Sequence, residues 1–252
     1  MFKSLPGAQE KLVKKYHTRQ GRKKADFYIV EGTRCCEEAI KFNPSAVQCA
    51  LGSNDKALDE LREHSFPIYS VDTAKFEALS LTENAQGIML LMNKPVNAKP
   101  QLEDPFLLVL DGLQEPGNVG TILRTALAIG LKEVVLTKGS ADAYNPKSVR
   151  AGMGAQFKLN ISYVDSLQDL TEDERLQDRT FWLTTPRDGT SCYDDKFDLQ
   201  NGVLVFGEEG GGIKDLHLGQ KVTIPMPGEA ESLNVAQAAT LFLFEAVRRQ
   251  IL

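Results

Sequence analysis

The chain has 252 residues, of which 42% are hydrophobic and 25% charged, and its formal net charge is −5. This length allows one large domain or two modest ones, and the composition is typical of a globular protein rather than a disordered one. The net charge argues against a protein that coats nucleic acid indiscriminately. We find no run of about 18 apolar residues and no signal-like apolar segment at the start, so we expect no membrane span and a cytoplasmic location.

The cysteines do not form a metal-binding pattern. They are Cys35, Cys36, Cys49 and Cys192, without a C-x-x-C pair, and the three histidines are scattered along the chain. We therefore expect no bound metal. Adjacent Cys35 and Cys36 could in principle be reactive, but the sequence favours two small buried residues on a helix in a reducing compartment.

The N-terminal stretch is basic although the whole chain is acidic. Its candidate RNA contacts are Lys14, Lys15, Arg19, Arg22, Lys23 and Lys24. Such a run could follow a phosphate backbone, or it could be the solvated face of a helix. The residues themselves leave both interpretations open.

Residues 26–92 alternate short β-rich runs with helical stretches, which is typical of a small α/β unit. The runs are FYIV, VQCAL, PIYSV and GIMLLM, and they are separated by TRCCEEAIKF, DKALDELREH and DTAKFEALS. Asp55 and Asp72 stand where helix N-caps are expected, and Pro44 follows the first of these helices as a stop. We therefore predict a first domain over residues 1–92.

A linker is predicted at residues 93–105, which carry three prolines and no hydrophobic periodicity. Beyond it, residues 106–252 contain short and nearly continuously apolar runs, namely FLLVLDG, EVVLT, LNISYV, TFWLTT, GVLVFG and KVTIP. Such runs are typical of strands that are buried on both faces, and helical segments separate them. The predicted second domain is therefore α/β, with a mostly parallel sheet covered by helices on both faces and a final helix over about Val235 to Gln250.

Three segments of this second domain carry candidate functional residues. The first, FLLVLDGLQEPGNVGTILRTALAIG, predicts a strand, a turn and a helix with Asn118 at the N-cap. Arg124 follows Asn118 after about 600° of helical rotation, so the two could meet only because a cap lies outside the helical register and an arginine tilts back toward the helix start. Alternatively, Asn118 only caps the helix and Arg124 pairs with an acid on the surface.

The second segment, GVLVFGEEGGGI, places a glycine-rich loop directly after a strand. Glycines let the backbone approach a ligand closely. The loop lacks the Gly-Lys-Ser/Thr ending of a phosphate-binding loop, and two acidic residues, Glu208 and Glu209, interrupt it. It is therefore poorly suited to bind phosphate. Two carboxylates suit a neutral or cationic ligand better, and a loose surface turn is the alternative.

The third segment, KVTIPMPGEAESLNVAQAATLFLFEAV, leads from a strand through a Pro-Gly turn into the final helix. Ser232 and Asn234 stand at the entrance of that helix, where either could act as a cap and nothing more. Ile224, Met226 and Leu233 supply apolar surface of the kind that holds an adenine ring.

The combination and order of these segments resemble the three signature motifs of the SpoU/TrmH family of RNA ribose 2′-O-methyltransferases, over about residues 105–252. The motifs are Asn-x5-Arg at a helix entrance, Gly-x-Glu-Gly-x-Gly, and Ile-Pro-Met-x-Gly followed by Ser-Leu-Asn-Val. The N-terminal part, with DFYIVEGTRCCEEAI and NAQGIMLLM, is similar to the L30e-like substrate-binding domain that many members carry. Ala236 is a departure, because many members have serine there.

The resemblance implies a deep trefoil knot (SPOUT-type) with S-adenosylmethionine bound among the knot loops, and a homodimer packed through the knot region. The implied cofactor-binding residues are Thr184, Thr185, Gly207, Gly212, Ile224, Met226 and Leu233. The implied catalytic residues are Asn118, Arg124, Glu209, Ser232 and Asn234. Arg124 would act as a base or, more easily for a guanidinium that resists deprotonation, as an electrostatic stabiliser of the attacking oxygen. Asn118 and Ser232 would orient it, and Glu209 would hold that network.

The resemblance also bears on the substrate. An L30e-like domain is common among members that act on large-subunit ribosomal RNA, which favours 23S rRNA and leaves tRNA as the alternative. A non-catalytic RNA-binding assembly factor is disfavoured because Asn118, Arg124, Glu209 and Asn234 are all present. A nucleotide-dependent enzyme is disfavoured because the glycine loop lacks a lysine. The sequence does not indicate which nucleotide is methylated.

Overall fold

The chain folds into two units that do not follow a single division of the sequence. The structure is a computed structural model that describes residues 2–252. One unit contains the residues up to Val96 together with Tyr144–Phe157, and the other contains Asn97–Ala143 and Lys158–Leu252. Residues 144–157, which the sequence-based division assigns to the second domain, thus cluster with the first.

The first unit is built on a mixed five-stranded sheet. Its strands are β1 (Lys3–Ser4), β2 (Phe27–Glu31), β3 (Val47–Gly52), β4 (Ile68–Ser70) and β5 (Ile88–Asn93), in the order β1-β4-β3-β5-β2. Strand β5 runs antiparallel to both of its neighbours, and the other pairings are parallel. The helices are α1 (Gly7–Tyr16), α2 (Arg19–Lys24), α3 (Thr33–Phe42), α4 (Asp55–Asp59), α5 (Thr73–Leu79) and, from the later segment, α7 (Pro146–Gly152).

Polar caps explain where several of these helices begin. Asp72 accepts a hydrogen bond from the backbone N–H of Lys75 and caps α5 as predicted. The prediction for α4 was wrong by one residue, because Asn54 is the cap and Asp55 is the first helical residue. A carboxylate in the first helical turn is still favourable to the helix dipole, so both residues suit this helix start.

The three cysteines of the first unit, Cys35, Cys36 and Cys49, are all buried, and the first two lie on α3 as expected. Burial raises the pKa of the Cys35 and Cys49 thiols to about 11. These thiols are therefore neutral at ordinary pH and pack as small apolar groups.

The second unit confirms the predicted α/β class with a parallel sheet. Its strands are β6 (Phe106–Leu110), β7 (Glu133–Thr137), β8 (Asn160–Val164), β9 (Thr180–Thr184), β10 (Thr190–Ser191), β11 (Gly202–Phe206) and β12 (Gln220–Thr223). They are ordered β10-β12-β9-β11-β6-β7-β8, and every pairing is parallel. The helices are α6 (Pro116–Ala128), α8 (Leu167–Thr171) and α9 (Val235–Arg248).

Helices cover both faces of this sheet. On one face, Leu107 and Val205 belong to a buried cluster that includes Leu167 and Leu170 of α8. On the other face, the ring of Phe206 packs edge-on against Phe242 of α9, with 5.7 Å between the ring centroids. Each such fully buried apolar side chain contributes about 1.5–3 kcal/mol of transfer free energy. The near-continuous hydrophobicity of the strands follows from this two-sided burial.

The strand order changes direction at the centre of the sheet. The chain proceeds from β6 outward to β7 and β8, then returns to the opposite side of β6 to form β9 to β12. In open parallel sheets, ligands bind outside the carboxyl ends of the strands at such a switch point. The loops that follow β6, β9, β11 and β12 are therefore the place to look for a site.

The predicted linker is only partly a linker. The side chain of Asn97 bonds the backbone of Tyr163 in both directions, at 3.0 and 2.8 Å. The buried carboxylate of Glu133 accepts the backbone N–H groups of Gln101 and Leu102 at 2.8 and 2.6 Å. Residues 97–104 are thus fixed along the second unit by hydrogen bonds to backbone and side-chain groups of its sheet. The trefoil knot stays a prediction.

No helix within residues 2–252 has both the length and the apolar character needed to cross a membrane. Over the same range, no group of three or more His, Cys, Asp and Glu side chains is arranged to hold a metal ion.

Candidate active site

The glycine-rich segment after β11 forms a tight loop in which one position admits only glycine. The backbone N–H of Gly212 donates to the carbonyl of Glu208 at 2.9 Å and closes the loop. A Cβ atom on Gly207 would lie 2.5 Å from both the carbonyl carbon of Gly212 and the backbone nitrogen of Ile213. Gly212 has φ = 64°, the left-handed region that favours glycine. The loop therefore brings bare backbone to the end of the sheet.

This loop forms one wall of a cavity with a volume of about 520 Å³. All seven residues that the sequence suggests for cofactor binding line it, together with Glu209, Ser232 and Asn234. The volume lies in the ~300–1,000 Å³ range of small-molecule sites. The side chains of Ile224, Met226 and Leu233 give it apolar walls of the kind that pack against a flat ring.

The ionisable residues that line the cavity are all acidic. They are Glu208, Glu209 and Glu231, and none of the lining residues is a lysine or an arginine. Anionic phosphates would meet repulsion here, whereas a cation would be attracted. The residues present therefore fit S-adenosylmethionine, which combines a flat purine with a positive sulfonium, and fit a nucleoside triphosphate poorly.

Hydrogen bonds tie together the loops around the cavity. The amide Nδ2 of Asn118 donates to Oε1 of Glu209 at 3.1 Å, and Nδ2 of Asn234 donates to Oδ1 of Asn118 at 3.1 Å. Oδ1 of Asn234 in turn accepts the backbone N–H of Ala236 and caps α9. Three of the predicted catalytic residues thus form one chain that joins the loops after β6, β11 and β12.

The environment of Glu209 lowers the pKa of its carboxyl. Partial burial alone would raise this pKa, but hydrogen bonds from Asn118 and from the backbone N–H groups of Gln114 and Glu115 outweigh that effect. Glu209 therefore remains a carboxylate at neutral pH and below. Because the pKa of Glu209 is lower in the folded than in the unfolded protein, its carboxylate stabilises the folded state. This contribution is fully present above the pKa of the unfolded state, and it is lost as the pH falls through the pKa of the folded state.

Sequence reasoning missed one partner in this region. The side-chain amide of Gln114 donates from Nε2 to Oε1 of Glu208 at 2.9 Å, so both acidic residues of the glycine loop are held by the turn before α6. No local pattern marks Gln114. Its position in the turn that follows β6 is the signal that could have pointed to it.

Arg124 lies apart from this network. Its side chain is exposed on α6, does not line the cavity, and forms no ion pair within residues 2–252. The expected N-cap role of Asn118 was wrong, since Glu115 is the cap, Pro116 is the first helical residue and Asn118 lies in the first turn. Because Asn118 is inside the helical register, six residues of regular helix separate it from Arg124 and direct the two side chains to different faces.

Ser232 shares one feature with the hydrogen-bonded residues of the cavity and another with Arg124. It lines the cavity but is exposed, and it makes no hydrogen bond with Asn118, Glu209 or Arg124. The expected alignment of Arg124 by Asn118 and Ser232 is therefore absent from the described residues of this chain.

Comparison with known proteins places this geometry in a family. The model of the SpoU rRNA Methylase family matches residues 105–244, and that of the MRM3-like substrate binding domain matches residues 9–90. The chain belongs to the SpoU rRNA methylase family.

The similarity to two rRNA methyltransferases extends over nearly the full length of this chain. The chain is 31% identical to the 23S rRNA (guanosine(2553)-2′-O)-methyltransferase RlmP of Bacillus subtilis, over 96% of this chain and 98% of that protein. It is 28% identical to the human mitochondrial rRNA methyltransferase 3, over 92% of this chain and 70% of that protein.

Solved structures agree with the sequence relatives. A TrmH-family protein of Porphyromonas gingivalis superposes with a TM-score of 0.86 at 30% identity, covering 97% of this chain and 99% of that one. The SpoU methyltransferase AviRb of Streptomyces viridochromogenes, in complex with AdoMet, superposes with a TM-score of 0.81 at 29% identity, covering 97% and 99%.

Within the region matched by the MRM3-like domain model, the predicted basic RNA contacts have different environments. Lys14 pairs with Glu10 at 2.7 Å, and Arg22 donates to the backbone carbonyls of Tyr16 and His17 at 3.1 and 2.7 Å. Of the six predicted contacts, Lys15, Arg19, Lys23 and Lys24 are exposed and form no ion pair within residues 2–252. Arg22 in this SpoU-family chain therefore stabilises the end of α1, while these four remain available to a ligand.

Proposed function

We propose that this SpoU-family enzyme methylates a ribose 2′-hydroxyl of 23S ribosomal RNA. The chain is an S-adenosylmethionine-dependent RNA 2′-O-methyltransferase. The observation that carries the proposal is the cavity at the carboxyl ends of β9, β11 and β12, with apolar walls and only carboxylates as ionisable groups. The choice of 23S rRNA is supported by relatives such as RlmP, whose substrate is 23S rRNA.

The proposed cofactor contacts follow from what each lining residue offers. Ile224, Met226 and Leu233 hold the purine by apolar contact. The backbone at Gly207 and Gly212 approaches the ligand without obstruction by a side chain. Thr184 Oγ1 already donates to the carbonyl of Val205 at 2.9 Å, so this hydroxyl fixes the end of β9 and leaves its lone pairs to accept. When bound, the cofactor would supply the electrophilic methyl group for the transfer.

The proposed role of Arg124 is electrostatic. A guanidinium resists deprotonation, but it can bind the phosphate next to the reacting ribose or the developing alkoxide and thereby stabilise negative charge on the attacking oxygen. Ser232 lies at the cavity and can contact the same ribose. Asn118, Glu209 and Asn234 act differently from the sequence expectation in this proposal: they position the three loops rather than Arg124 itself.

Basic residues of the first unit are proposed to bind the RNA backbone. Lys15, Arg19, Lys23 and Lys24 are exposed and unpaired within residues 2–252, which suits contacts to phosphate. Lys14 can also contact the RNA backbone by exchanging its ion pair with Glu10 for one with a phosphate. A cytoplasmic location completes the proposal, as the sequence predicts.

The decisive experiment maps methylation in RNA. A strain lacking this protein should lose one 2′-O-methyl mark in 23S rRNA by mass spectrometry, and the purified protein with S-adenosylmethionine should restore it on that RNA. Loss of a tRNA mark with unchanged 23S rRNA would refute the proposed substrate. Normal methylation of both RNAs, with defective ribosome assembly, would instead favour a non-catalytic factor.

We also propose that the protein is a homodimer through α9. Its exposed apolar side chains Leu241, Phe244 and Val247 lie at helical spacing and are 43%, 51% and 38% exposed, whereas Glu245 on another face is buried. Large apolar side chains clustered on an exposed helix mark an association surface.

We expect Phe244→Glu to convert the protein to a monomer in light scattering, because the change buries a charge in the proposed interface. Leu12→Glu on α1, at a side chain that is 42% exposed, is the matched control and should leave the mass unchanged. A dimer that persists in Phe244→Glu would contradict an interface on this face of α9.

A further inference from the structure

The first unit contains a second cavity that the methyl-transfer site does not use. It has a volume of about 590 Å³ and lies between the start of α3, the loop before β5 and α7. Arg34 from α3 and Arg150 from α7 both line it, and Met153 follows α7 at its edge. We call it the two-arginine cleft. Its size is that of a site for a ligand as large as a nucleotide.

The lining of the two-arginine cleft holds two glutamates, Glu31 and Glu83, as well as the two arginines, but the guanidinium groups are not paired with them. Arg34 and Arg150 are exposed, and neither forms an ion pair with a carboxylate in residues 2–252. The carboxylate of Glu31 in the lining is fully engaged, since it accepts from Ser80, from the backbone of Leu81 at 3.0 Å and from Thr82 at 2.8 Å. Glu31 therefore fixes the loop before β5 rather than neutralising an arginine. Two guanidinium groups in one cleft suit a phosphate, which they can bind with paired N–H donors.

The rest of the lining suits a nucleobase. Leu81, Met153 and Cys35 offer an apolar surface, and Cys35 is uncharged because burial raises the pKa of its thiol to about 11. Gln86 accepts the backbone N–H of Thr33 at 2.8 Å through Oε1, which fixes its amide and leaves Nε2 as a donor. Asn84 adds a second, exposed amide. Unstacked RNA bases are recognised by this combination of apolar contact and amide hydrogen bonds.

From these contacts we propose that the two-arginine cleft binds one unstacked nucleotide of the RNA substrate, with Arg34 and Arg150 on its phosphates and Asn84 and Gln86 on its base. The inference rests on the proposed function in taking RNA as the substrate. Arg150 lies within the 105–244 stretch matched by the SpoU methylase model, while Arg34 lies in the substrate-binding match. In this proposal, the part of the sequence that matches the methylase model thus supplies one RNA contact, Arg150, to the first unit.

Binding of full-length protein to unmodified 23S rRNA transcript, measured by filter retention over a series of salt concentrations, tests this. We expect Arg34→Ala and Arg150→Ala each to weaken binding about tenfold or more and to reduce the salt slope by about 1. S-Adenosylmethionine affinity in calorimetry should be unchanged. Arg62→Ala is the matched control, because Arg62 is an exposed arginine of the same unit that pairs with Asp59 and lies outside the cleft.

The outcomes separate this inference from the proposed function. Equal RNA affinity and salt slope for the Arg34, Arg150 and Arg62 variants would overturn the cleft assignment, even if the wild type methylates 23S rRNA. If methylation mapping identifies tRNA instead, the same variants are compared on tRNA, and a selective loss there supports the cleft. Arg150→Gln retains most of the side-chain length and provides a second variant should Arg150→Ala fold poorly. Weakened binding of Asn84→Ala at unchanged salt slope would support contact with the base.

Discussion

Arg124→Ala should reduce kcat for methyl transfer by about 10²–10³-fold, which corresponds to the ~2.7–4 kcal/mol typical of one lost electrostatic contact to a developing oxyanion. Arg124 is exposed on α6, outside the cavity lining and outside the Glu209–Asn118–Asn234 hydrogen-bond chain. The variant should therefore bind S-adenosylmethionine with wild-type affinity. Single-turnover methylation of 23S rRNA, together with calorimetry of the cofactor, measures both quantities.

Two further variants make the Arg124 result interpretable. Arg124→Lys keeps the positive charge but loses the paired donors, so an electrostatic role predicts activity between those of the alanine variant and the wild type. Lys132→Ala removes an exposed cation of the same unit, 71% exposed, and should leave kcat unchanged. Wild-type turnover by Arg124→Ala would refute the assignment.

Gly207→Ala should weaken S-adenosylmethionine binding by about 100-fold, the upper end of the ~1–3 kcal/mol that overpacking costs. The added Cβ would lie 2.5 Å from backbone atoms of Gly212 and Ile213. Backbone cannot rotate away as a side chain can, so the loop itself must shift. This shift would move the cavity wall and disturb the hydrogen bonds that Glu209 accepts.

Gly210→Ala is the matched control in the same loop. A Cβ at Gly210 would meet no atom within 4 Å, and the residue is not among those with positive φ. Calorimetry should give wild-type cofactor affinity for it, and thermal unfolding of both variants separates a binding effect from a loss of folding. Wild-type affinity of Gly207→Ala would show that the glycine loop is not part of the cofactor site.

The sequence predicts the strands of the second unit well because their signal is local. Short apolar runs mark β6, β7, β8, β9 and β11. The expectation of a buried strand at KVTIP was only partly correct, because β12 is mostly polar and its first two residues are exposed. Two-residue strands such as β10 lack sufficient length to form a pattern. The N-cap of α6, which was wrongly predicted at Asn118, could also have been found from the local sequence. Proline favours the first helical position, so Pro116 could have identified Glu115 as the N-cap.

The candidate site was predictable in its residues but not in its connections. The second and third segments supply most of the cavity lining, because each is a short stretch at the end of a strand, and Thr184, Thr185 and Pro186 after β9 supply the rest. The hydrogen bonds from Gln114 to Glu208 and from Asn234 to Asn118 join positions about a hundred residues apart, and no periodicity or spacing in the sequence predicts them. The separation of Arg124 from Asn118 became clear only when the helix start was known to within a residue.

The division of the chain into units has a consequence for synthesis on the ribosome. The hydroxyl of Tyr16 donates to the backbone carbonyl of Tyr144. The rings of Tyr144 and Phe157 both pack against the ring of Tyr28, with centroid distances of 4.9 and 6.5 Å. At ~5–20 residues per second, these partners of β2 emerge seconds after the rest of its unit. Until then the nascent chain exposes an aromatic surface, so the first unit of this protein cannot complete its folding before residues 97–143 of the second have been translated.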